Sequence, residues 1–363
     1  MSSPKLFQPM KVGTSPLKHR VALAPMTRYR ASRKEHVPTI PLMEAYYSQR
    51  GSRPGTLLVT EATFIAPQAA GYDNAPGIWN EAQIKAWRKI TDAVHAKGSF
   101  IYVQLWALGR SARPEILKED GFDHVAPSPI AAGEAYSVPR ELTTHEIQEY
   151  IQWYAEAAKN AVKAGFDGVE IHGANGYLID QFLQDISNSR KDDYGGSIEA
   201  RSKFGLQVVD AVVKAIGQEK TALRISPWSR FQNMKMEDPI PQFSHFVSTV
   251  AHRYPDFAYL HVVETYEEGE SNDFLRHIWK PRPFISCTGY DAKTALERAE
   301  KGVNELVAFG KWFISNPDLP DRIEKGIPFT PFDPSTFHTR AHEKGTERGY
   351  IDYPFANERD ENA

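Results

Sequence analysis

Three observations predict an α/β fold, a single (β/α)8 (TIM) barrel with an N-terminal cap and a long loop after strand three. Short β-rich runs recur at 20–24, 56–60, 100–104, 168–172, 222–226, 257–262, 283–287 and 306–309, which makes eight candidate strands. Several are apolar on consecutive positions, as in Thr56-Leu57-Leu58-Val59 and Leu306-Val307-Ala308-Phe309, a pattern that suits parallel strands covered on both faces. No Gly/Ser linker or shift in composition divides the chain, so one closed barrel spanning residues 1–363 is expected in place of an open sheet split between two domains.

The stretches between the runs carry helical spacing. Ile84, Trp87, Ile90 and Val94 form one stripe, and Ile147, Ile151, Tyr154, Ala158 and Val162 another. Three segments fall outside the repeat. The Pro-rich stretch 9–18 is expected to form a cap or hairpin under the barrel. The long polar loop 108–140 follows strand three, where insertions usually build a site. The tail after Pro328 is irregular and charged.

Composition removes several function classes. With 41% hydrophobic residues in 363 there is ample material for a core, and 43 Lys+Arg against 46 Asp+Glu gives a net charge of -3. That balance draws the chain neither to nucleic acid nor to an anionic membrane surface. The single cysteine, Cys287, supports neither an internal disulfide nor a cysteine-based metal site, so no metal is expected. No apolar stretch has the length of a signal peptide or a bilayer span, and a cytoplasmic protein, monomer or homodimer, is the expectation.

In a barrel, polar residues at the C-terminal ends of strands face the active-site mouth. The fourth run, Gly168-Val169-Glu170-Ile171-His172, leads into Gly173-Ala174-Asn175-Gly176-Tyr177. His172 and Asn175 can hold a carbonyl oxygen as negative charge develops on it, while the Tyr177 phenol, protonated at neutral pH, supplies a proton. The plainer alternative is a core histidine and the first aromatic of the next helix. Strand one leads past Pro25 and Met26 to Thr27, and strand three ends in Gln104; such a pair could read the polar edge of a heterocycle. Arg224 lies inside an apolar run and needs an anion there, either a ligand or an internal carboxylate such as Glu170. The last two strands end in Cys287-Thr288-Gly289 and Phe309-Gly310-Lys311, at the position where barrels commonly bind phosphate.

These blocks resemble the old yellow enzyme family. Pro25-Met26-Thr27-Arg28-Tyr29-Arg30, Gly71-Tyr72-Asp73-Asn74-Ala75-Pro76-Gly77, Tyr102-Val103-Gln104-Leu105-Trp106, His172-Gly173-Ala174-Asn175-Gly176-Tyr177-Leu178, Asp193-Tyr194-Gly195-Gly196-Ser197 and Phe313-Ile314-Ser315-Asn316-Pro317-Asp318-Leu319 occur in the family's order, across nearly the whole chain. The resemblance implies non-covalent FMN, contacted by Thr27, Gln104 and Arg224 and by backbone at Pro25, Met26 and Ala62. Its phosphate would lie at Thr288, Gly289, Gly310 and Lys311. NADPH or NADH would reduce the flavin, and hydride would pass from flavin N5 to the β-carbon of an α,β-unsaturated carbonyl or nitroalkene. His172 and Asn175 would hold the substrate oxygen, Tyr177 would protonate the α-carbon, and Trp106, Tyr72 and His338 would line the pocket.

Departures accompany the matches. The family usually has glycine at Ala62 and Thr288, whose backbone role is expected to survive the change, and arginine at Lys311, where lysine gives up a bidentate grip. His338 stands where yeast-like members have tyrosine, and the loop 264–271 looks shorter. Two alternatives remain: a reduced-flavin double-bond isomerase, though the isomerising relatives lack the tyrosine acid, and a reductase of a secondary-metabolite aldehyde.

Overall fold

The computed structural model describes residues 3–356. A hairpin of Met10–Val12 against Ser15–Leu17 comes first. Its alternate residues Met10, Val12, Ser15 and Leu17 are buried, as the period of two in a strand requires. Gly13 at its tip has φ +54, and a Cβ there would stand 2.0 Å from the Glu219 carbonyl oxygen and 2.9 Å from the Tyr102 hydroxyl. The hairpin therefore closes the floor of the barrel, as the cap expectation requires.

Eight parallel strands follow: β1 Val21–Leu23, β2 Leu57–Phe64, β3 Phe100–Trp106, β4 Gly168–Gly173, β5 Thr221–Ile225, β6 Tyr259–Val263, β7 Phe284–Cys287 and β8 Glu305–Phe309. Each pairs with the next, and β8 pairs with β1 to close the barrel. Every expected run is a strand. The largest difference is β2, which continues to Phe64 through a register shift between Val59 and Ala62 against β3. Such a bulge re-aims side chains at a barrel rim.

Outside the strands lie α1 Leu42–Arg50, α2 Glu81–His95, α3 Pro114–Glu119, α4 Thr144–Lys163, α5 Leu178–Leu183, α6 Ile198–Ile216, α7 Pro239–Arg253, α8 Asp273–Trp279, α9 Ala292–Lys301, α10 Lys311–Ser315 and α11 Leu319–Lys325. Helix α2 starts at an Asn80–Gln83 capping box and buries Ile84, Trp87, Ile90 and Val94. Helix α4 starts at a Thr143–Glu146 box. It buries Ile147, Ile151, Tyr154 and Ala158, but Val162 is exposed and Ala161 is buried instead, because a 3.6-residue turn brings the stripe back one position early. Among the described residues no helix is long and apolar enough to cross a membrane.

Residues 108–140 contain a 3-10 turn at Gly109–Ser111, then α3, and then a short bridge of Val125–Ala126 to Arg140–Glu141. The tail after α11 is held by buried arginines. Arg28 donates to the Phe337 and Gly349 carbonyls at 3.0 and 2.8 Å, and Arg30 to those of Thr336 and Thr346, both at 3.2 Å. Arg50 and Arg322 donate to the Tyr350 and Pro354 carbonyls at 3.1 and 2.9 Å. A buried guanidinium is costly without such acceptors; here it ties the tail to the barrel mouth, and Tyr350 stacks on Tyr46 at 4.2 Å.

Candidate active site

The end of β4 carries His172, whose Nδ1 accepts the Ala174 N–H at 3.4 Å. That bond places the imidazole proton on Nε2. Burial, then the positive charge of Arg224 and of His261, holds His172 well below its ordinary pKa, so the ring is a neutral donor at pH 7. Asn175 and Gly176 follow at φ +58 and +74. Asparagine and glycine are the residues that tolerate this region. The Asn175 N–H donates to Ser226 Oγ at 2.7 Å, and its carbonyl accepts from Gln232 Nε2 at 3.1 Å. The Gly176 N–H donates to Asp180 Oδ2 at 2.8 Å. Asp180 is fully buried at the start of α5, and that burial lifts its carboxyl to about 6.

This turn sets the Tyr177 ring edge-on to His172, with centroids 4.9 Å apart, and edge-on to Trp106, again at 4.9 Å. Trp106 itself stacks on Phe64, the last residue of the extended β2. Burial, followed by the neighbouring phenols Tyr72 and Tyr29, raises the Tyr177 hydroxyl well above the usual phenol range. The phenol is therefore kept protonated at neutral pH.

Deeper in the barrel, Gln104 Nε2 donates to Glu170 Oε1 at 2.7 Å, and His261 Nδ1 lies 2.8 Å from Glu170 Oε2. Burial alone would raise Glu170, but His261 and then Arg224 hold it ionised. The internal pairing of Arg224 with Glu170 does not form. Instead Arg224 Nη2 lies 3.6 Å from Cys287 Sγ, and its Nε is buried without a partner among the described residues.

That guanidinium faces a cavity of about 450 Å³ between the ends of β1, β7 and β8. Pro25, Met26, Arg224, Thr288, Gly289, Gly310 and Lys311 line it, whereas Thr27, Ala62 and Gln104 do not. Gln104 is paired in register with Ala62 and Glu170 inside the wall, and Thr27 is half-buried one residue past Met26. A cavity of this size with an orphaned buried cation fits a polar, anionic cofactor. Tyr72 and His338 line a second cavity of about 200 Å³, above Trp106.

Residues 5–330 match the family described as NADH:flavin oxidoreductase / NADH oxidase, whose members are FMN oxidoreductases. The chain belongs to the old yellow enzyme family. It is similar to the Old Yellow Enzyme of Pichia sp. AKU4542, with a TM-score of 0.91 and 38% identity over 97% of this chain and 94% of that one. Morphinone reductase in complex with tetrahydroNAD matches with a TM-score of 0.89 and 40% identity over 97% and 98% of the two chains. In sequence, chanoclavine-I aldehyde reductase fgaOx3 of Penicillium roqueforti is 51% identical over 98% of this chain and 97% of its own length. The protein is thus an FMN-dependent oxidoreductase that uses a nicotinamide cofactor.

One departure from the old yellow enzyme pattern is less innocent than its retained N–H implies. Thr288 sits at φ +93, a region costly for a β-branched residue, by about 1–3 kcal/mol. Its carbonyl accepts a hydrogen bond from Tyr266, and its Oγ1 lies 3.8 Å from Cys287 Sγ. Lys311 is exposed at the start of α10. The sequence reading did not single out His261, whose inward parity on β6 was the available signal, nor Arg113 and Arg340 at the second cavity.

Proposed function

We propose that the protein is an NAD(P)H-dependent reductase of a C=C bond conjugated to an aldehyde or ketone, with a secondary-metabolite aldehyde as its natural substrate class. The observation that carries the reading is one turn after β4 that sets a neutral Nε2–H donor on His172 and a Tyr177 phenol kept protonated 4.9 Å apart between ring centres, with Asn175 between them in the chain. The aldehyde class rests on the 51% identity to an enzyme named for chanoclavine-I aldehyde. When bound, FMN supplies the hydride that adds to the β-carbon.

The residues do the rest. His172 Nε2–H and the Asn175 side-chain amide donate to the carbonyl oxygen and stabilise its developing negative charge. Tyr177 gives its hydroxyl proton to the α-carbon, which completes the addition of two hydrogens across the double bond. Arg224, which makes no ion pair with a carboxylate among the described residues, would offset negative charge on the reduced cofactor, and Gln104, whose NH2 donates to Glu170, would present its amide oxygen. Pro25 and Met26, which line the larger cavity, would bound the cofactor's edge, while Thr27 and Ala62 lie outside that lining. Thr288, Gly289, Gly310 and Lys311 would hold its phosphate, while Trp106, Tyr72 and His338 would shape the substrate's side.

The test is an anaerobic absorption experiment on the purified protein, with NADPH added first and 2-cyclohexenone second. The reading expects a yellow protein that bleaches and then recolours with formation of cyclohexanone. Bleaching without recolouring by any conjugated aldehyde or ketone would sink the reductase and leave double-bond isomerisation. A protein that cannot take up FMN would remove both.

A further inference from the structure

An aromatic wall leads outward from Tyr177. Trp106 meets Tyr72 at 5.7 Å between ring centres, Tyr72 meets Tyr29 at 6.4 Å, and Tyr29 meets His338 at 5.5 Å. At its outer end these rings enclose the cavity of about 200 Å³, whose charged members are Asp73, Arg113 and Arg340. The wall is aromatic and uncharged but for the titratable His338; the far end is charged.

The charges do not cancel. Asp73 is already bound to Arg33 at 2.9 Å, and Arg340 reaches it only at 3.9 Å. Arg113 has no carboxylate within ion-pair distance among the described residues and lies 5.7 Å over the Tyr72 ring. Both arginines are fixed at the backbone beside the rings: the Arg113 N–H donates to the Gly71 carbonyl at 3.2 Å, and the Ala341 N–H to the Tyr29 carbonyl at 3.0 Å. Two guanidiniums from distant parts of the chain thus line one small cavity, Arg113 without an ion pair among the described residues and Arg340 with only a long contact to Asp73, which Arg33 already holds.

We propose that Arg113 and Arg340 form an anion subsite that takes a phosphate of the reducing nicotinamide nucleotide. The inference rests on the reading of the Tyr177 pocket as the place where the flat nicotinamide end is held. A neutral conjugated aldehyde would leave Arg113 unpaired and Arg340 with only its long contact to Asp73, whereas a dinucleotide carries anions on the sugar side of its flat ring. Guanidinium forks suit phosphate oxygens. The cavity is ample for one phosphate and too small for a whole dinucleotide, so the adenosine end remains outside. Two phosphates could be the one bound, the diphosphate bridge or the 2′-phosphate present only in NADPH.

The test titrates the FMN-loaded protein with non-reducing tetrahydro-NADPH and tetrahydro-NADH, following the flavin spectrum. In the Arg113→Gln/Arg340→Gln double variant the Kd should rise about tenfold or more, and the salt dependence seen in the parent protein should flatten. Equal weakening of both ligands assigns the diphosphate, and weakening of tetrahydro-NADPH alone assigns the 2′-phosphate. An unchanged Kd for both ligands overturns the proposal, as does a loss confined to reoxidation by neutral 2-cyclohexenone. Because these ligands do not react, the result stands apart from whether the enzyme reduces an enone. Arg113→Gln alone alters an exposed side chain and gives the same reading, with a smaller shift, should the double variant fail to fold.

Discussion

The turns after β4 and β7 share a backbone shape and differ in almost everything that holds it. Each places two successive residues at positive φ, Asn175 and Gly176 at +58 and +74, Thr288 and Gly289 at +93 and +75. The first is fixed by Ser226, Asp180, Gln232 and Gln181, and it aims side chains. The second leans on the hydroxyl of Tyr266, a ring 67% exposed, and offers mainly backbone. A group that must donate a proton at a defined carbon needs its side chain immobilised by buried partners. On the proposed reading the turn after β7 would grip a phosphate, which needs only N–H groups and positive charge, so the turn would absorb threonine for glycine at Thr288.

The largest effect should come from the first turn. Tyr177→Phe is expected to slow reoxidation by a conjugated enone by about 10²–10⁴-fold, the usual worth of a positioned acid, while flavin reduction by NADPH stays nearly unchanged in stopped-flow. Equal loss in both halves would remove Tyr177 as the acid and, with it, the functional contrast between the turns.

Asp180 tests how strongly that turn is pinned. Its folded pKa of about 6 stands above the ordinary 3.8 of an aspartate, so the native state binds the proton more tightly than the unfolded chain does. Its contribution is fully present below about pH 4 and is lost as pH rises through about 6, a span worth about 3 kcal/mol. Asp180→Asn should flatten that part of the slope when urea midpoints of variant and parent are compared across pH 4–7. A slope identical to the parent's would mean that the carboxyl is not confined as described.

The second turn should respond mildly and in the opposite sense. Thr288→Gly relieves about 1–3 kcal/mol of backbone strain and returns up to about 1 kcal/mol of chain entropy to the unfolded state. A gain of about 1 kcal/mol in thermal or urea unfolding is expected, and a loss would show that the Tyr266 and Cys287 contacts outweigh the strain. Smallest of all, Lys311→Arg should tighten FMN by about threefold through the bidentate fork, read by fluorescence recovery on FMN release. No change would place Lys311 off the phosphate.

Sequence periodicity reached the eight strands because a doubly covered strand must be apolar on successive residues, and it reached His172, Asn175 and Tyr177 because they end such a strand. It could not reach the extension of β2 to Phe64, since a bulge between Val59 and Ala62 is decided by pairing with β3. It left Arg224 between two partners; only packing shows Glu170 occupied by Gln104 and His261. Arg113 and Arg340 carried no local signal, because neither sits at a strand end. Their meaning comes from tertiary proximity across loops remote in sequence. The strain at Thr288 was equally hidden, because a backbone angle at a turn is set by what the turn must clear.

The buried arginines that hold the C-terminal tail bind its carbonyl oxygens, at Thr336, Phe337, Thr346, Gly349, Tyr350 and Pro354. A carbonyl is the same at every residue, so most of these anchors read the path of the tail and not its spelling. The tail is therefore expected to tolerate exchange at His338 and Arg340, since the clamps on its carbonyls do not depend on those side chains. For engineering new selectivity, that strap offers a place to vary the pocket without disturbing the strands that carry the chemistry.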